Sequence, residues 1–234
     1  MTTRKFLTPD EVRRLLDAAA SRANPGRNAA LIGLGYLHGL RISELLGLRL
    51  SDFDLASRVI SVRRLKNGFS TVHPLHPSGV RLLRAWLKER GALPHLEADN
   101  DWLFVSRQGT PLSRQQGYNI LTALSADAGL SLRAHPHMLR HACGYALADN
   151  GVDTRLIQDY LGHRNIRHTV RYTASNAARF GRVWKGRGGR NSGHLVPKCK
   201  THTFYRPIIS DFSLVAQQKT SKSSNNNRLS RPAF

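Results

Sequence analysis

Four short segments carry residue types whose chemistry goes beyond packing. HGLRISELLGLRLSDFD places Arg41 at a helix start with Glu44 one turn on, and RRLKNGFSTVHPL places Lys66 at a turn. HPHMLRHACGYALA brings His137, Arg140 and His141 within about one helical turn, and LIQDYLGHRNIRHTVRYT holds His163 nine residues before Tyr172. Taken singly, each has an ordinary reading. An i,i+3 Arg–Glu pair is usually a solvated contact of small value, a hairpin lysine is usually solvated, and a lone tyrosine usually packs. His137 and His141 stand four apart, as zinc ligands can, but Met138, Leu139 and Arg140 lie between them where the metalloprotease pattern needs a glutamate. An adjacent guanidinium would also repel a metal cation.

Combined, the segments supply arginines, histidines, a lysine and a tyrosine, with no carboxylate cluster for two-metal phosphoryl chemistry and no GXXXXGK[ST] loop. That inventory suits metal-free attack on a phosphodiester. Arginine grips both non-bridging oxygens with a planar fork and stays charged while the phosphorane gathers negative charge, so Arg41 and Arg140 would form a clamp. A hydroxyl nucleophile would leave a covalent bond to DNA. A phenol with a pKa near 10 is only about one-thousandth ionised at pH 7, so its activation must cover roughly 4 kcal/mol. Clustered cations and a nearby histidine are the groups expected to supply it, and Lys66 on a flexible hairpin is placed to protonate the departing 5′ oxygen.

The composition names the partner. The 234 residues contain 36 Lys or Arg against 15 acids, a formal charge of +21, which calls for a polyanion. The excess is not confined to the end: residues 186–234 contain nine Lys or Arg against Asp211 alone, leaving about +13 for the first 185 residues. With 40% apolar residues the chain has material for one sizeable domain, and it shows no long uncharged apolar run or secretory leader. Two cysteines, Cys143 and Cys199, are too few for a disulfide framework and suit a reducing cytosol.

The elements that must position these residues are mostly helical. Thr8-Pro9-Asp10-Glu11 is a capping box with proline at the first helical position, followed by Val12, Leu15, Leu16 and Ala19 at helical spacing, which predicts a helix over about 9–20. Asn24-Pro25 opens a second helix to about His38, and a third runs from Arg41 to Leu48 after the Gly39 turn. Val59–Val62 and Thr71–Leu75 are β-prone runs around Asn67-Gly68, a strong hairpin signal. Further helices are expected over about 77–90, 113–127, 137–149, 153–161 and 166–183, with a short strand at Trp102 to Val105. The class is mainly α with a small antiparallel β-sheet (α+β), in a domain over 1–184. Residues 185–234, rich in Gly, Ser, Asn and base, read as a disordered tail.

In order and spacing, LRISELLGL, RRLKNGFSTVHPL, HPHMLRHACG, DYLGH and RHTVRYT resemble the catalytic motifs of the tyrosine recombinases, the phage-integrase family. The likeness runs over roughly residues 5–184, and RLKNGFSTVHPL, LSRQQ and RLIQDYLGHRNIRHTVRYTASNAARF look most like the type 1 fimbrial phase-variation group. The resemblance implies that Arg41 is the first clamp arginine, Lys66 the general acid, His137 and Arg140 the HXXR pair, His163 the second histidine and Tyr172 the nucleophile. Glu44 matches a supporting acidic position. Tyr36, Tyr118, Tyr145 and Tyr160 are expected in the core, and Tyr205 lies in the tail.

The implied reaction breaks and rejoins duplex DNA through a 3′-phosphotyrosyl intermediate, without metal, ATP or other cofactor. The implied partners are double-stranded DNA with inverted-repeat sites, a homo-tetramer on that DNA and accessory DNA-bending proteins, in the bacterial cytoplasm at the nucleoid. Inversion of a promoter segment controlling fimbrial expression is the implied outcome. The rival readings are a DNA-binding regulator with the same fold but little strand transfer, and a metal-dependent nuclease, which the lack of a carboxylate cluster argues against.

Overall fold

The computed structural model describes residues 4–64 and 70–174. Lys66, the tip of the predicted hairpin and everything after Ala174, including the predicted tail, lie outside the described residues. The order is α1 (Pro9–Ala19), α2 (Pro25–Leu37), α3 (Ile42–Leu46), a 3₁₀ turn (Leu50–Asp52), β1 (Phe53–Asp54), β2 (Val59–Val62), β3 (Thr71–Pro74), α4 (Pro77–Gly91), α5 (Arg114–Asp127), α6 (Pro136–Asp149), α7 (Thr154–Leu161) and α8 (Arg167–Ala174). The mainly helical class with one small sheet is what the sequence predicts.

The helix starts follow their capping residues. At α1, Glu11 N–H donates to the Thr8 hydroxyl at 3.3 Å while the Glu11 carboxylate accepts from Thr8 N–H at 2.8 Å. Val12, Leu15, Leu16 and Ala19 then face inward, as their spacing requires. The central element is α2, whose run Ala30 to Leu37 is buried on every side. It packs against α1, α4 and α6, which explains why its sequence shows no polar face.

The sheet is antiparallel in the order β1-β2-β3, with Ile60 opposite His73 and Val62 opposite Thr71. Alternation sends Ile60, Val62 and His73 to the core face, while Val72 is left exposed. The two-residue β1 joins this sheet although its sequence shows no strand pattern.

Trp102 to Val105 is not a strand. The segment makes two isolated bridges, Arg49 with Trp102 and Val105 with Pro111. Its carbonyls are claimed by side chains of α4: Trp86 Nε1 donates to Leu103 O at 2.8 Å and Arg90 Nε to Trp102 O at 3.0 Å. Carbonyls taken by helix side chains are lost to a ladder, so the pairing stops at isolated bridges while the apolar residues build core. No helix among the described residues is long and apolar enough to cross a membrane.

Candidate active site

The site is assembled around one buried carboxylate. Glu44, in the first turn of α3, takes Arg41 Nη1 on Oε1 at 2.7 Å, and its Oε2 accepts from Arg41 N–H at 3.0 Å and from Arg64 Nη1 at 2.9 Å. This is not the solvated pair that spacing alone suggests. The Glu44 side chain is 1% exposed and that of Arg64 0%, whereas Arg41 retains 31%. Burial alone would raise the Glu44 pKa, but the Arg41 N–H, Arg64 and the Arg41 side chain outweigh it and hold the group below the usual carboxylate range.

Arg140 enters from α6, buried, and donates Nη1 to Gly39 O and Nη2 to Leu161 O, the latter at 2.6 Å. Burial, followed by the charges of Arg41 and Arg64, lowers its pKa to about 10, which leaves it protonated at neutral pH. Gly39 makes this approach workable. Its φ of +57° disfavours a side chain, and a Cβ there would sit 2.3 Å from Leu161 and 3.2 Å from the Cys143 sulfur. Two guanidinium groups thus bond one carboxylate while the charge of a third, Arg140, acts on both of them, leaving positive charge that an anion would neutralise.

The histidines keep to their neutral forms beside these cations. Burial, with Arg140 and Arg41 adding to it, lowers His163 to about 3, and the same influences lower exposed His137. His163 sits just after the α7 cap at Gly162, with its Nδ1 2.9 Å from the Thr169 hydroxyl. Its ring lies nearly parallel to that of Tyr172, centroids 6.2 Å apart.

Tyr172, on α8, is 1% exposed. Burial pushes its hydroxyl up to about 12, with Arg140 and Arg171 pulling the other way. The clustered cations were expected to ionise the phenol; in this structure burial is the larger influence. The hydroxyl lies 2.9 Å from His141 Nδ1, and a Cβ on Gly144 would come within 2.7 Å of the ring. Tyr145 meets the ring edge-on at 5.1 Å.

The structure therefore brings Arg41, Glu44, Arg140, His163 and Tyr172 into one neighbourhood, with His137 at its edge. Lys66 lies outside the described residues. Two participants escaped sequence reasoning. Arg64 stands in a basic run where nothing marks it for burial, and His141 was weighed only as a metal ligand or packing residue. A signal for His141 existed: it shares a helix face with Gly144 and Tyr145, next to the HXXR pair. Among the other tyrosines, Tyr36 is core as expected, but Tyr118, Tyr145 and Tyr160 are only half-buried.

A family model described as the phage integrase family matches residues 5–179. The type 1 fimbriae regulatory protein FimB of Escherichia coli strain K12 is 55% identical over 187 residues, which cover 80% of this chain and 92% of FimB. FimE of the same strain is 54% identical over 185 residues, covering 79% of this chain and 93% of FimE. The crystal structure of XerH site-specific recombinase bound to palindromic difH substrate, a post-cleavage complex, superposes with a TM-score of 0.64 at 26% identity, covering 77% of this chain and 53% of XerH. With residues 5–179 matched by the family model and FimB 55% identical over most of its length, the chain belongs to the phage integrase family of tyrosine recombinases.

Proposed function

We propose that the protein is a site-specific DNA recombinase that cleaves and rejoins duplex DNA through a 3′-phosphotyrosyl bond, and that it inverts a promoter segment controlling fimbrial expression. One observation carries the chemistry: Arg41 and Arg64 bond Glu44, and the buried charge of Arg140 acts on them and on the Tyr172 side chain. Their surplus charge suits a phosphodiester, whose oxygens gain negative charge as the phosphorus becomes five-coordinate.

Arg41 and Arg140 grip the non-bridging oxygens, His137 and His163 add hydrogen bonds, and Glu44 orients Arg41. The Tyr172 oxygen bonds to phosphorus as the bond to the 5′ oxygen breaks, and Lys66 protonates that oxygen. The phosphotyrosyl bond keeps the energy of the broken link for rejoining, so no nucleotide is consumed. An open groove of about 500 Å³, lined by Gln115, Tyr118, Asn119, Thr122, Arg133 and His135, begins where α6 does and offers polar groups to a duplex. A tetramer on two inverted-repeat sites, assisted by DNA-bending proteins at the bacterial nucleoid, completes the reading. A regulator without strand transfer would have no use for a tyrosine seated beside this cationic site.

The test is a covalent trap. The full chain is incubated in EDTA with nicked fragments of host DNA, and adducts that survive denaturation are sequenced. Expected are adducts at a few inverted-repeat sites with wild type and none with Tyr172→Phe. Metal-dependent free ends without adduct would overturn the proposal.

A further inference from the structure

The hydroxyl of Tyr172 meets His141, not either of the two histidines that the family resemblance marks. His163 lies beside the ring with its Nδ1 committed to Thr169, whereas His141 Nδ1 lies 2.9 Å from the phenol oxygen. The contact is built into the helix. His141, Gly144 and Tyr145 fall on one face of α6, where a missing side chain makes room for the ring and Tyr145 closes its edge. His137 stacks on His141 from the preceding turn at 6.2 Å.

We propose that His141 is a catalytic residue of the strand-transfer reaction, the base that receives the Tyr172 proton as the phenol oxygen attacks phosphorus. This rests on the proposed function and assigns a proton path within it. In the tautomer with its hydrogen on Nε2, His141 accepts the phenolic hydrogen bond at Nδ1. During attack the bond from the phenol oxygen to hydrogen breaks, its proton moves to Nδ1 and the oxygen joins phosphorus. The electron pair of the cleaved bond leaves on the 5′ oxygen, which takes a proton from the general acid. Rejoining runs the steps backwards, and the imidazolium returns its proton to the tyrosine.

The surroundings keep the acceptor ready. Burial, then Arg171 of α8 and His137, Arg140 and His135 of α6 and its cap, hold His141 down at about 4, so its basic form prevails at neutral pH. Against a ground-state phenol this is a weak base. The phenolic proton becomes strongly acidic only as the new ester bond forms, so transfer accompanies attack instead of preceding it.

The test measures single-turnover adduct formation on the nicked duplex recovered by the covalent trap, for wild type, His141→Ala and His141→Asn. Asparagine keeps a hydrogen-bond acceptor near the Nδ1 position but takes up no proton. Both variants are expected to bind the duplex in gel shift and to lose about 100-fold in rate. The loss should persist on a duplex with a 5′-bridging phosphorothiolate, whose thiolate leaves without a proton, and added imidazole should restore part of the His141→Ala rate.

Three results would overturn the assignment: His141→Asn as fast as wild type, a deficit that vanishes with the phosphorothiolate, or adducts that form faster when His141 is removed. If wild type itself forms no adduct, the recombinase reading fails. Should wild type and both variants react equally, only the role of His141 is lost.

Discussion

Glu44 divides two sets of the same residue types. On the solvent side stand Arg41, His137 and His163; on the inner side stand Arg64, His38 and His73. The inner set is buried. Arg64 gives Nη1 to Glu44 and Nη2 to Tyr160 O, His38 and His73 face each other at 3.4 Å, and the His73 ring stacks on Tyr160 at 4.1 Å. The outer set leaves Arg41 a third exposed and His137 open to solvent. One carboxylate thus serves as a partition, with an anchor behind it and a ligand-facing cation in front. Identity of residue type says little about role here; which side of the carboxylate the group occupies decides it.

The largest effect that would break this contrast concerns stability. Arg64→Ala strips a buried partner from Glu44 and should cost about 3–5 kcal/mol in urea unfolding. A loss no larger than that of Arg41→Ala would show that the inner side is not an anchor. Arg41→Ala itself should slow covalent adduct formation by about 10²–10³-fold, roughly 3–4 kcal/mol of barrier, while costing less unfolding free energy than Arg64→Ala because Arg64 still neutralises Glu44. Single-turnover kinetics and denaturation on the same preparation check both halves.

Acid should expose the inner pair next. Burial, joined for His38 by Arg64 and for His73 by His38 and Arg64, lowers these imidazoles to about 3 and about 2. Since the unfolded chain binds their protons near pH 6.5 and the folded chain does not, stability is full above that value and falls as pH drops below it. Between pH 6.5 and 5 the loss should be about 2 kcal/mol per histidine, and His38→Gln should remove its share of the slope. A flat profile would place both imidazoles in contact with water.

The smallest effect sharpens the outer side. Arg41 is among the charges that depress His163, so Arg41→Ala should move the His163 titration upward in NMR. An unmoved midpoint would put the two groups out of electrostatic reach.

Most of the fold was legible because local signals agreed with packing. The Thr8–Glu11 box, the prolines at helix starts and the two β-prone runs mark elements that the structure contains. Trp102 to Val105 misled because apolar content marks burial without saying which groups satisfy the backbone. The site was legible as a set of motifs in order, but not as a geometry. Nothing in RRLKNG separates Arg64, sealed against Glu44, from the exposed Arg63, since burial of a charge depends on a carboxylate twenty residues away. Likewise the seat for Tyr172 joins residues 31 apart, beyond any local pattern.

The hydrogen bond from Arg140 to Gly39 O spans 101 residues, and its partner bond reaches Leu161 at the end of α7. A partly unfolded chain keeps its positive charge, yet Arg140 has no fixed place beside Arg41 until those distant segments of the chain meet. Attraction to a polyanion, which needs only charge, therefore comes before assembly of the site, which needs the finished fold.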